Sequence, residues 1–167
     1  MAERRITEEL LRDTPQDRLQ GVVLDSVYSK VSADLDNEYE IVTNLPKTRR
    51  AIYITWYLEA EVNNGGFNQF FWNSTGMFAY EAVEAYKLLG APEYAELVQR
   101  AIDIYEKDRA KLREFKLRGT MEAFTESYKH TQLNTLDDPF FELEKVQDPD
   151  GIRNRYIRDH MTELVDD

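Results

Sequence analysis

Two carboxylates, Glu59 and Glu61, stand with Asn63 just after an uncharged run in the middle of the chain. A carboxyl group raised by apolar neighbours is a usual general acid or base. Their spacing argues against a catalytic pair, because residues two apart face different sides of a helix. The two histidines, His130 and His160, stand alone, and neither belongs to a His-x-x-x-His or Glu-x-x-His arrangement that would place two metal ligands on one helical face. The chain has no cysteine, which excludes thiolate nucleophiles, disulfides and Cys-ligated zinc. Gly65-Gly66 follows a helical pattern and lacks the Lys and Thr of a phosphate loop, and no Gly-x-Ser-x-Gly elbow occurs. The expectation is a protein that is not an enzyme and has no catalytic residue, metal or cofactor.

Charge offers a different chemistry. Asp and Glu number 32 against 21 Lys and Arg, a formal charge of -11. Phosphates would be repelled by the average surface, which argues against direct nucleic-acid binding and against anionic membranes, and favours a basic partner. The acids form two rows. Asp34, Asp36, Glu38 and Glu40 have no base between them; Asp137, Asp138, Glu142, Glu144, Asp148 and Asp150 are interrupted only by Lys145. Carboxylates four apart on a helix lie about 6 Å apart along its axis, a spacing of the same order as successive DNA phosphates. These ten residues are the candidate partner-binding surface; the plainer reading is a solvated face that confers solubility. Seven bases between Arg100 and Arg118 make the acidity regional.

The most unusual stretch is 59–74. Nine of the chain's 20 aromatic residues fall between Tyr53 and Tyr80, which centres the core there. Amides are interleaved with them: Asn63, Asn64, Asn68, Gln69 and Asn73. Each buried amide must find partners or cost about 1–3 kcal/mol. They suit the free ends of two helices meeting at the Gly65-Gly66 corner, or a polar pocket for a ligand or peptide.

These groups must be carried by helices. Apolar spacing predicts one over 16–32, a short acidic one over 34–43 with Leu35, Tyr39 and Val42 on one side, and a central one over 46–64 capped by Asn44. That central helix is uncharged on every face over 51–58, as expected in the middle of a bundle. A turn and short helix should follow, with Phe67, Phe70 and Phe71 inward, then helices over 77–89 and 92–116. The latter carries the oriented pairs Glu96–Arg100, Asp103–Lys107 and Glu114–Arg118. Gly119 breaks it, Thr120 caps the next, and further helices cover 139–146 and 151–164. The prediction is an all-α domain of seven to nine helices over 15–165, preceded by an N-terminal extension, 1–14. Residues 1–12 are charged without an apolar segment, and 62–80 is too polar to span a bilayer, so a cytoplasmic protein is expected.

The run Glu61-Val-Asn-Asn-Gly-Gly-Phe-Asn-Gln-Phe-Phe-Trp-Asn73 resembles the signature of a small acidic bacterial DNA-mimic family, with the best likeness over 48–105. Glu59, Asn63, Asn64, Gly65, Gly66, Phe67, Gln69, Phe70, Phe71 and Asn73 are the positions of interest in and beside it, and glycine, amide and aromatic residues of this kind read as fold maintenance. The resemblance implies an all-α homodimer without known catalysis. It also implies a carboxylate surface that binds a helix-turn-helix transcription regulator at its DNA-binding face and keeps it off its operator. Two alternatives stay open: a protein-binding module of another kind, such as an immunity-type inhibitor, and a small-ligand binder using 59–73.

Overall fold

The computed structural model describes residues 5–166, so residues 1–4 of the expected extension lie outside it. Among the described residues the elements are helical throughout: α1 (Glu8–Asp13), α2 (Leu19–Val31), α3 (Glu38–Thr43), α4 (Lys47–Trp72), α5 (Ala79–Leu88), α6 (Pro92–Arg118), α7 (Met121–Ser127), α8 (Asp137–Val146) and α9 (Pro149–Asp159), joined by short 3-10 turns. The fold is all-α, as the periodicity predicts.

Helix α4 is the axis, packing against α2, α3, α5, α6 and α8. Ala51, Ile52, Tyr53, Ile54, Thr55 and Leu58 are buried, which is what an uncharged circumference requires. Its start differs from expectation. Asn44 closes α3, its N–H bonded to the Glu40 and Val42 carbonyls, and Pro46 holds the position before α4. The extended Pro46 backbone puts Asn44 too early in the chain to cap α4. The predicted stripe of Leu35, Tyr39 and Val42 also fails, since only Val42 is buried. Residues Leu35–Asn37 form a 3-10 turn, whose three-residue repeat takes Leu35 off the helical stripe. Tyr39 instead stacks on Phe78, ring centroids 5.5 Å apart, and donates to Glu81 at 2.6 Å.

Helix α6 ends as expected. Gly119 is left-handed (φ 65°), and Thr120 Oγ1 accepts the Ala123 N–H at 3.1 Å. Its three anticipated i,i+4 ion pairs do not form among the described residues. Asp103 accepts from Gln99, Arg118 lies over the Phe115 ring, and the pairs present are Glu106–Arg109 and Lys111–Glu114. The two ends of the described chain are tied together. The Ile6 N–H donates to Asp166 at 2.7 Å, and Arg49, buried at the start of α4, holds the same carboxylate at 2.7 Å. Ile6 and Leu11 therefore join the single core. No helix among the described residues is long and apolar enough to cross a membrane.

Candidate functional site

The 59–73 stretch folds as a corner inside α4. Gly65 (φ −159°, ψ 29°) and Gly66 (φ 69°, ψ −178°) leave helical geometry, and the helix restarts at Phe67. A restarted helix exposes N–H groups that need acceptors. Asp137, the first residue of α8, supplies one, its Oδ1 accepting the Phe67 N–H at 2.9 Å. On the other side of the break, the Tyr128 hydroxyl donates to the Gly65 carbonyl at 2.6 Å.

Glu61 holds the two arms together. Its carboxylate accepts from Gln69 Nε2 at 2.7 Å, Asn73 Nδ2 at 2.8 Å and Thr75 Oγ1 at 3.3 Å. Asn68 is buried and donates to Ser127 at 2.8 Å, while Asn63 donates to Glu144 at 2.8 Å and Asn64 is exposed. Phe67, Phe70 and Phe71 are buried as expected, with Phe67 edge-on to Phe140. The amides are thus largely satisfied by carboxylates rather than by helix ends. Glu61→Ala leaves three donors short of their acceptor and should cost about 2 kcal/mol, with Glu61→Gln losing less; urea unfolding midpoints check both.

Glu59 lies in a separate cluster. Arg153, 1% exposed, donates through Nη2 to Glu59 and to Asp150, both at 2.6 Å, and through Nε to Gln20 at 2.7 Å. Gln20 also donates to Asp150 at 2.7 Å, and its backbone N–H is accepted by Asn154 at 2.8 Å. Burial pushes the Glu59 carboxyl up more than the guanidinium holds it down. Asp150 lies below its ordinary value: burial raises it, and the bonds from Gln20 and Arg153 outweigh that. Glu59 is therefore one half of an internal ion pair joining α2, α4 and α9.

The ten candidate surface acids divide. Asp137 is half-buried at the corner. Glu144 accepts from Asn63, Asp150 from Arg153, and Glu38 from the Tyr53 hydroxyl at 2.9 Å. Asp34, Asp36, Glu40, Asp138, Glu142, Asp148 and, despite its bond to Arg153, Asp150 are exposed. Asp34 accepts from Asn37 and Glu142 pairs with Lys145. Of the expected four-residue spacings only Asp138/Glu142 lies within one α-helix; Asp34 precedes a 3-10 turn, Asp36 lies in it, and Asp148 precedes α9. The helices that carry the rows share α4 as a neighbour, α3 packing also on α2 and α8 on α6.

His130 lies 3.5 Å from Glu126 and His160 stacks on Tyr156, ring centroids 3.9 Å apart. No group of three potential metal ligands occurs among the described residues. Residue spacing does not reveal the buried Arg153 or the capping role of Asp137. The Gly-Gly break signals that an acceptor is needed, but that acceptor lies 70 residues away.

A family model described as DMP19-like protein matches residues 43–160. That span takes in the whole of α4 to α9, hence the glycine corner, Glu61, Asp137 and Arg153. No curated protein and no solved structure matches the chain. The chain belongs to the family of DMP19-like proteins.

Proposed function

We propose that the protein is an acidic DNA mimic that occupies the DNA-binding surface of a helix-turn-helix transcription regulator and keeps it off its operator. It acts as a homodimer in the cytoplasm, without catalysis or cofactor. The observation that carries this reading is that Asp36, Glu40, Asp138 and Asp148 are exposed and have no ion pair among the described residues, in a chain of charge -11. Glu40 and Asp138 are set on short helices, and Asp36 and Asp148 in the turns beside them; such anionic groups steer a cationic surface and set its register. Family resemblance supplies the partner class. Asp137 and Glu144, which are not exposed and satisfy internal donors, fall outside the contact set.

The test is competition. A basic regulator captured at low salt should be released by duplex DNA, and log affinity should fall steeply with log salt. Reversing Asp138 and Glu142, or Asp36 and Glu40, to lysine should weaken binding by about tenfold or more, with the melting temperature almost unchanged. Simultaneous binding of DNA and this protein to the regulator overturns the reading.

A further inference from the structure

Seven of the chain's 21 bases fall between Arg100 and Arg118, against four acids in the same stretch. Beside the outer half of the α4 corner lies a cavity of about 320 Å³ between α4 and α6. Tyr105, Arg109, Leu112, Arg113 and Lys116 line it from α6, and their spacing of three and four residues puts them on one helical face. Phe71 and Trp72 line it from α4. Phe71 and Tyr105 are parallel, their centroids 4.2 Å apart. A neighbouring cavity of about 410 Å³ shares Phe71, Tyr105, Arg109 and Lys116 with it.

The charge at this place is out of balance with its surroundings. Arg109 meets Glu106 at 3.3 Å, a carboxylate that also accepts from Tyr80. Arg113 and Lys116 have no ion pair among the described residues, although carboxylates outnumber bases across the chain. All three bases are exposed at the mouth of the cavity, and partial burial, with no carboxylate to oppose it, lowers the Lys116 pKa.

We propose that this cavity binds a small ligand with an anionic head on a flat ring. Arg109, Arg113 and Lys116 meet a phosphate or carboxylate, and the ring lies against the Phe71, Trp72 and Tyr105 wall. Guanidinium forks match both head groups, aromatic walls favour a planar body, and the volume is at the small end of the roughly 300–1,000 Å³ typical of ligand sites. The inference does not rest on the mimicry reading, since none of its residues is among the acids proposed to meet a regulator.

Calorimetric titration tests it with four probes: adenosine 5′-monophosphate and indole-3-acetate as the two joined forms, adenosine and inorganic phosphate as separated halves. At least one joined probe should bind in the submillimolar range. Arg113→Glu should weaken it about tenfold or more, while Arg100→Glu, the same charge change on α6 outside the cavity, should not. Binding of the nucleotide alone identifies a phosphate head, and binding of indole-3-acetate alone a carboxylate. The proposal is overturned if neither joined probe binds at millimolar concentration, if the halves bind as tightly as the joined forms, or if both variants weaken binding equally. Arg113 is exposed, so thermal unfolding should show the Arg113→Glu protein folded. The Asp138 and Glu142 reversals should leave probe affinity unchanged, so this reading and the mimicry reading fail separately.

Discussion

Arg153→Ala should lower stability by about 3–5 kcal/mol, which for a chain of this size is a drop of roughly 10 °C in the melting temperature. The side chain is 1% exposed and bonds to Glu59, Asp150 and Gln20. Truncation leaves Glu59 partly buried without its counter-charge, a worse state than having neither partner. The pH dependence identifies the mechanism. Glu59 is already raised above its ordinary value by burial, so the stability associated with its proton is present at acid pH and lost as pH rises through the folded value. Without Arg153 that value rises further, and the deficit should grow from acid pH towards neutrality. The double variant Arg153→Met, Glu59→Leu should recover much of the loss, since an apolar pair can replace a buried ion pair at little cost. A deficit that is independent of pH, or a double variant no better than Arg153→Ala, would show that lost packing and not the stranded carboxylate sets the effect.

Such a residue shows where the sequence is and is not informative. Helix α4 was legible because a stretch without charge on any face has only one place to go, the centre of a bundle. Helix α6 was legible because Pro92 at its start and Gly119-Thr120 at its end act through local backbone geometry. Arg153 gave no such signal. It sits on a helix rich in charged residues, and its burial is decided by α2 and α4, more than 90 residues earlier in the chain. Asn44 and Leu35 misled for a local reason: a proline turn and a 3-10 turn each displaced the register that periodicity assumes.

The amide-rich motif was legible as a corner but not in its wiring. Asn and Gln were expected to cap helix ends directly, and the caps are instead Asp137 and the Tyr128 hydroxyl, brought in from later helices. Gln69 and Asn73 converge on Glu61, whose i,i+2 spacing from Glu59 did exclude a shared site: the two carboxylates serve different clusters. Acidity likewise has two uses in this chain that composition cannot separate. Some carboxylates hold buried donors, and others stand in water without a cation. Asp150, exposed yet bonded to Arg153, holds a buried donor and stands in water at once.

Gly66→Ala should be the most damaging change in the corner, at about 3 kcal/mol for a backbone region open essentially to glycine alone plus the loss of a helix cap. Gly66 has φ 69° and ψ −178°, and a Cβ there would lie 2.2 Å from Asp137 Oδ2. The carboxylate must move, and the Phe67 N–H then loses its acceptor. Asp137→Ala removes that acceptor without backbone strain and should cost about 1 kcal/mol. Combining the two should cost less than their sum, because the first has already displaced what the second deletes. Asp137→Asn keeps an oxygen at the cap and should be nearly neutral for stability at acid pH. Burial raises the Asp137 carboxyl despite the Phe67 N–H, so the wild type loses stability as pH rises through that value and the asparagine variant should not. Asp138, its neighbour in sequence, is exposed and should behave in the opposite way. Asp138→Asn should leave the unfolding curve alone and weaken regulator binding, whereas Asp137→Asn should leave binding alone. Equal loss of binding from both would mean that the corner itself, rather than the exposed acids around it, forms the contact.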